Sequence, residues 1–175
     1  MGQSGNDRLW GGDHGDVIKG QGGRDKLWGG DQADMLRGGG GKDMLDGGEA
    51  GDELFGGSGE DALFGGAGGD TLEGGDDNDR LDGGENGDML FGGAGADVFV
   101  LAQGYGTETV GDFDMLEDRI EIDAGLMEGL TPELAAGLGR DTEEGDLMFN
   151  FGDGNRMLLT GLAGSELSAE HFILA

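Results

Sequence analysis

Eleven aspartates, Asp7, Asp16, Asp25, Asp34, Asp43, Asp52, Asp61, Asp70, Asp79, Asp88 and Asp97, stand nine residues apart without a miss. A fixed period of this length is the signature of a solenoid-like architecture, because each repeat is one small unit that stacks on its neighbours. Registered on these aspartates, residues 2–100 divide into eleven nonapeptides with no insertion or deletion. The first slot is Gly in all eleven, the second is Gly in all but Gln3 and Gln21, and the sixth is always Asp. The eighth slot is always apolar, running Leu9, Ile18, Leu27, Leu36, Leu45, Leu54, Leu63, Leu72, Leu81, Leu90 and Phe99. Glycine supplies 44 of the 175 residues. Glycine together with acid would ordinarily read as disorder, but a phase kept this long argues for order. Glycine does not recur every third residue and there is one proline, which excludes a collagen helix.

Each slot has a physical meaning. Slots one to six are glycine-rich and too short for a helix, so they predict a tight turn. Slots seven to nine predict a three-residue strand whose middle side chain points inward. One nonapeptide buries nothing alone. If successive turns alternate sides, two repeats make a coil of 18 residues, and the leucine column becomes a narrow core between two parallel sheets. The predicted class is all-β.

Gly56-Gly57-Ser58-Gly59-Glu60-Asp61-Ala62-Leu63-Phe64 and Gly92-Gly93-Ala94-Gly95-Ala96-Asp97-Val98-Phe99-Val100 carry the pattern G-G-x-G-x-D-x-U-x, with U apolar. In this the sequence resembles the RTX (repeats-in-toxin) family of calcium-binding nonapeptides. The resemblance implies a right-handed parallel β-roll with calcium held between neighbouring turns on one side. It also implies that the eleven slot-six aspartates, Asp7 to Asp97, supply carboxylate oxygens. Backbone carbonyls would come from the glycine-rich turns: Gly11, Gly29, Gly38, Gly47, Gly56, Gly65, Gly74 and Gly83 in slot one, Gly39, Gly48, Gly57, Gly66, Gly75 and Gly84 in slot two, and Gly41, Gly59 and Gly68 in slot four. An ion between each turn and the next but one gives at most nine inter-turn sites among eleven turns.

The chemistry of the chain agrees. Calcium takes six to eight oxygens in flexible geometry, whereas zinc and copper seek thiolate or imidazole. This sequence has no cysteine and only His14 and His171. With 38 acidic and 10 basic residues the formal net charge is -28, which repels nucleic acid and anionic lipid and attracts divalent cations. No apolar run is long enough to span a membrane, and the N-terminus has no basic segment followed by an apolar one. Asp76-Asp77-Asn78-Asp79 begins like an EF-hand, but Arg80 occupies the third ligand position. Gly38 to Lys42 is followed by Asp43 where a phosphate loop needs Ser or Thr. Asp13, Asp31, Asp76 and Glu85, outside slot six, are expected to be solvated.

Slot four carries His14, Gln32, Ala50, Asp77 and Asn86 in place of Gly. His14, Ala50 and Asn86 precede a glycine, so the flexible position is expected to move one place along. The turn from Gly29 to Asp34 has Gln32 and Ala33 and is the poorest match. Slot nine faces outward yet holds Trp10, Trp28, Phe55, Phe64, Phe91 and Val100. Trp10 and Trp28, 18 apart, are expected to stack on one sheet, with cover from the C-terminal segment. Six of the ten basic residues, Arg8, Lys19, Arg24, Lys26, Arg37 and Lys42, fall early and are expected to offset nearby carboxylates.

The period stops near Leu101, so the chain divides into a roll over 2–100 and a C-terminal capping region over 101–175. Residues 108–113, 119–122, 147–151 and 157–160 read as strands, with Gly152-Asp153-Gly154-Asn155 turning the last two into a hairpin. Thr131-Pro132-Glu133 starts a predicted helix over 131–138. This region resembles the C-terminal part of serralysin-type secreted proteases in Gly95 to Val100, in Thr109-Val110-Gly111-Asp112-Phe113-Asp114 with Glu117-Asp118-Arg119-Ile120, and in Leu167 to Leu174. That resemblance implies an uncleaved C-terminal signal for type I secretion from Gram-negative bacteria, with the secretion apparatus as a partner. The proteases' H-E-x-x-H zinc motif is absent, as is G-x-S-x-G, and no catalytic constellation emerges.

The function expected from the sequence is a secreted calcium-binding module, not an enzyme, that folds on meeting extracellular calcium. A second expectation is a carbohydrate-interacting accessory module of a larger secreted enzyme, resembling the R-modules of alginate epimerases. An ice-binding roll needs regular outward Thr or Asn ranks, which slot five lacks.

Overall fold

The computed structural model describes residues 1–102, 104–123, 126, 139–165 and 167–175. The helix expected over 131–138 lies outside these residues. The repeats form strands β1 (Arg8–Gly12), β2 (Val17–Gly22), β3 (Lys26–Asp31), β4 (Met35–Gly40), β5 (Met44–Glu49), β6 (Glu53–Ser58), β7 (Ala62–Ala67), β8 (Thr71–Asp76), β9 (Arg80–Glu85), β10 (Met89–Ala94) and β11 (Val98–Leu101). Odd strands pair in parallel with odd, even with even, always 18 residues apart, as in Leu27↔Leu45 and Leu36↔Leu54. The result is the parallel β-roll: two sheets, one coil per two repeats. Leu27, Leu36, Leu45, Leu54, Leu63, Leu72, Leu81 and Leu90 fill the space between them and are fully buried.

One expectation needs correction. The strands of the repeats are not three residues long; β2 to β10 have six, running through slots seven to nine and on into slots one to three. The slot-one glycine is buried beside the leucine. Without a side chain it lets the coils stay in ladder register where a bulkier residue would force them apart. The turn proper is slots four to six. It is stitched to the next coil by backbone bonds such as Gly41 N to Ser58 O, 2.7 Å.

A second correction concerns slot four. Ala50 (φ 76°) and Asn86 (φ 86°) adopt the left-handed conformation themselves, and Gly51 and Gly87 do not take it over. Asp77 (φ 75°) does the same, at roughly 1 kcal/mol for a non-glycine residue, whereas His14 in the first coil stays out of the left-handed region. Gln32 (φ 86°) complies too, and its side-chain amide donates to Asp13 O at 2.6 Å, so the turn from Gly29 to Asp34 matches its neighbours. Gln21 (φ 87°), in slot two, donates likewise to Gly2 O at 2.9 Å.

The C-terminal segment lengthens both sheets before it closes one of them. Strands β12 (Thr107–Val110) and β16 (Asn155–Leu159) continue the even sheet, and β13 (Arg119–Ile122) and β17 (Phe172–Leu174) the odd one, all in parallel. The antiparallel strands β15 (Leu147–Gly152) and β14 (Arg140–Asp141) then finish the even sheet. The expected hairpin is the β15–β16 pair. The strand expected over 108–113 ends instead at Val110, because Asp112 turns back so that its Oδ1 and Oδ2 accept the amides of Gly92 and Gly93 at 2.9 and 3.0 Å. Phe99, Val110, Ile120, Phe149, Met157 and Phe172 carry the core into this segment. A single 3₁₀ turn, Ala169–His171, precedes β17.

Trp10 and Trp28 stack with ring centroids 4.7 Å apart and planes within 6°. The expected cover does not reach them: Trp10 is 65% exposed, since β1 and the C-terminal strands lie at opposite ends of the roll. Lys42 does pair with Glu60 at 3.1 Å, whereas Arg37 lies over the Phe55 ring at 4.3 Å. Asp13, Asp31, Asp76 and Glu85 are exposed.

Candidate metal centre

Each slot-six aspartate closes a turn, and its carboxylate points back inside the coil. From Asp25 on, its Oδ1 accepts the backbone amide of the aspartate 18 residues earlier. Asp7 N donates to Asp25, Asp25 N to Asp43, Asp43 N to Asp61, Asp61 N to Asp79 and Asp79 N to Asp97, at 2.7–2.8 Å. On the other side Asp16 N donates to Asp34, Asp34 N to Asp52, Asp52 N to Asp70 and Asp70 N to Asp88, at 2.6–2.8 Å. Two columns of carboxylates thus run up the roll, one for each row of turns.

The second oxygen is different. Oδ2 of Asp25, Asp34, Asp43, Asp52, Asp61, Asp70, Asp79, Asp88 and Asp97 is buried and has no hydrogen-bond partner. These nine residues are 0–4% exposed, whereas Asp7 and Asp16, in the first coil, are half-buried. A buried carboxylate oxygen without a donor is costly, by roughly 1–3 kcal/mol or more each. Nine in succession are a donor set suited to a cation.

The glycines mark the place. A Cβ added at Gly56 would run into Asp61 Oδ2 and lie 2.6 Å from Gly74 O. The same pair of oxygens, the aspartate of that repeat and the slot-one carbonyl two repeats on, meets at Gly2, Gly11, Gly20, Gly29, Gly38, Gly47, Gly56, Gly65 and Gly74. A carboxylate oxygen and a carbonyl oxygen brought together beside a residue without a side chain are donors for a hard divalent cation. Among the described residues no three acidic or imidazole side chains gather at one point, so an ion here takes main-chain oxygens for the rest of its shell. The slot-two and slot-four glycines form separate columns. At Gly57 and Gly59 an added Cβ would meet only backbone atoms, of Gly39 and Gly41.

Electrostatics agree with that reading. Burial, ahead of all other causes, pushes the carboxyls of Asp52, Asp61 and Asp79 up to about 7, with neighbouring aspartates adding to the rise. Asp34, Asp43, Asp70 and Asp97 rise for the same leading reason. Without a counter-charge, such a column holds protons near neutrality.

Of the residues singled out from the sequence, the slot-six aspartates and slot-one glycines come together. At the slot-two and slot-four glycines, Gly39, Gly48, Gly57, Gly66, Gly75, Gly84, Gly41, Gly59 and Gly68, an added Cβ meets backbone of the preceding coil instead. Gly20 and Gly92 belong with the slot-one set and were readable from the period. Two further acids were not. Asp118 and Glu108 follow Asp97 and Asp88 in their columns, 21 and 20 residues on, where the period no longer applies. Asp118 Oδ1 accepts the Asp97 amide at 2.9 Å and its Oδ2 accepts the Asp114 amide at 2.8 Å.

Comparison with known proteins bears on the same residues. The sequence model of the RTX calcium-binding nonapeptide repeat (four copies) matches residues 1–27, 10–45, 37–72, 64–99 and 73–107. No curated protein matches in sequence. Among solved structures, the extracellular lipase LipA of Serratia marcescens is similar over the whole of this chain, with TM-score 0.56 and 18% identity. That likeness shows a shared fold, and this chain spans 39% of the lipase. The AlgE6R3 subunit of the Azotobacter vinelandii mannuronan C5-epimerase aligns over 76% of this chain and 78% of its own, with TM-score 0.40 and 28% identity.

Proposed function

Because the chain belongs to the RTX calcium-binding nonapeptide repeat family, we propose that it is a secreted module whose roll folds on taking up extracellular calcium. The observation that carries this reading is the run of nine buried, unpartnered Oδ2 atoms from Asp25 to Asp97. Asp7 to Asp97 act as the carboxylate ligands, with backbone carbonyls of the glycine-rich slots as their main-chain partners, those of slot one from Gly20 to Gly92 standing beside an aspartate Oδ2. Up to nine inter-turn sites follow. Calcium, when bound, supplies two positive charges and accepts six to eight oxygens. The chain's own part is to hold Oδ2 and the slot-one carbonyl at one point while Oδ1 locks the coil below. At low calcium the same carboxylates repel one another, and the glycine-rich backbone loses more entropy on ordering than a backbone of ordinary composition.

The division into a roll over 2–100 and a capping and signal region over 101–175 has a mechanical sense in this scheme. Phe172–Leu174 form the edge strand β17, paired with β13, so the terminal residues are free to be read by a type I secretion apparatus only while the chain is unfolded. RTX repeats are structural modules, and catalysis is assigned to whatever domain the roll accompanies. The test is circular dichroism of the metal-stripped chain titrated with calcium chloride. A cooperative gain of β signal in the millimolar range is expected; an unchanged β spectrum after stripping overturns the reading.

One observation favours a second role. The Trp10–Trp28 stack offers an exposed aromatic platform of the kind that sugar rings lie on. A glycan array probed with the calcium-loaded chain and with Trp10→Ala separates the two roles: binding lost in the variant supports an accessory carbohydrate module.

A further inference from the structure

The two carboxylate columns end differently. On the odd side the last acid, Asp118, has both oxygens bonded to amides, and the column is closed by ordinary hydrogen bonds. On the even side the last acid is Glu108, wholly buried, with no amide or hydroxyl donor on Oε1 or Oε2 and its carboxyl facing that of Asp88 within hydrogen-bonding reach. Glu108 sits on β12 in the register of slot six, since Met89 pairs with Thr109 and Leu90 with Val110. A side chain one methylene longer than aspartate does not reach back to the Asp88 amide. It turns toward Gly83.

What it meets there is specific. At the nine glycines from Gly2 to Gly74, the two oxygens that crowd an added Cβ are the aspartate Oδ2 and the slot-one carbonyl of the next coil. At Gly83 they are Asp88 Oδ2 and Glu108 Oε2, the latter 2.6 Å from the added Cβ. At Gly92, the odd-side counterpart, Asp97 Oδ2 stands without a second oxygen among the nearest atoms. Glu108 therefore places a carboxylate oxygen where a glycine carbonyl stands in every earlier coil.

Resting on the reading of the roll as a calcium module, we infer that Asp88, Glu108 and Gly83 form a tenth cation site, outside the nonapeptide repeats, at the junction of roll and C-terminal segment. It takes calcium, as the other sites do, but with two carboxylates where they have one carboxylate and one carbonyl. A doubly charged pair suits this last site, where the next coil is no longer a nonapeptide and brings no slot-one carbonyl. It also makes docking of β12 onto β10 dependent on the ion, so that the C-terminal segment is fastened only when the roll is loaded.

The direct test is anomalous scattering from crystals of the full chain grown in calcium chloride. An ion between Asp88 Oδ2 and Glu108 Oε2 is expected; filled sites at Gly2 to Gly74 with none at Gly83 overturn the inference and leave the module reading intact. Ions at no site sink both. In solution, calorimetric counting of calcium should give one ion fewer for Glu108→Gln than for the native chain, and an unchanged count for Asp118→Asn. An undiminished count in Glu108→Gln, with an unchanged calcium midpoint for folding, would show that Glu108 is a buried neutral acid and no ligand. Should that variant not fold in calcium, the crystallographic result on the native chain decides alone.

Discussion

The roll and the C-terminal segment bond their acids in opposite ways. In the roll, each aspartate from Asp25 to Asp97 has one oxygen bonded to an amide and one with no partner at all. In the C-terminal segment, Asp112 and Asp118 have both oxygens bonded to main-chain amides, and buried His171 receives the Ser168 amide at Nδ1 while its Nε2 lies 2.9 Å from Met115 O. The difference is one of chain geometry. A strict nonapeptide can offer its carboxylate only one amide, that of the coil below. A non-repeating loop can fold a second amide onto it. The roll therefore presents one unbonded carboxylate oxygen at each turn from Asp25 to Asp97, and Asp118 presents none.

The strongest way to break this contrast is to remove calcium. Hydrogen exchange of the chelated chain at neutral pH should show protection lost over β1 to β11. The cap should follow, because β12, β13, β16 and β17 are held as extensions of the roll's sheets. Protected amides in β15 and β16 after chelation would show the cap to be an independent unit. Next in size is Gly56→Ala. Its new Cβ strikes Asp61 Oδ2 and Gly74 O, so a loss of about 3 kcal/mol or more is expected in saturating calcium, together with an ion. Gly22→Ala, at a slot-three position with no atom within 4 Å of the added carbon, should change thermal stability by less than about 0.5 kcal/mol. Equal effects would remove the slot-one cradle from the argument.

A matched pair sharpens the comparison further. Asp61→Asn keeps an acceptor for the Asp43 amide but leaves a neutral oxygen at the cradle, so it should bind one calcium fewer and melt lower in calcium. Asp118→Asn keeps one of its two amide bonds, should cost about 1 kcal/mol, and should bind the full number of ions. Calorimetric ion counts and melting curves for the two variants separate a ligand from a hydrogen-bonding cap.

Much of this was legible in the sequence because the repeat carries its own register. A Leu every nine residues fixes which side chains point inward, and Asp every nine fixes which oxygens line up, so Leu45 over Leu63 and Asp43 over Asp61 follow from spacing alone. The length of the strands did not follow. Glycine in slots one to three reads as turn by propensity, yet its lack of a side chain is what lets the ladder continue. Nor did the final rungs. Asp118 and Glu108 come after loops that add three and two residues to the 18-residue coil, and only the pairings Val98↔Arg119 and Met89↔Thr109 restore them to the columns. Once phase is lost, sequence cannot say which acid among many continues a column.

The smallest expected effect concerns protons, which can partly stand in for a cation in the roll. In the calcium-free fold the carboxyls of Asp52, Asp61 and Asp79 are raised to about 7 and that of Asp88 to about 6, burial being the first cause. In the unfolded chain the same groups titrate near 3.9. The folded form thus holds protons that the unfolded form has released. Its stability is greatest below about pH 4 and is lost as pH rises through 6 to 7, the reverse of the usual acid denaturation. Metal-stripped chain should accordingly gain β signal in circular dichroism when taken from pH 8 to pH 5. The gain stays partial, because a proton neutralises one carboxylate without drawing a carbonyl toward it. A stripped chain whose β signal is flat or falling over that range would mean that the orphaned oxygens of the roll do not govern its folding.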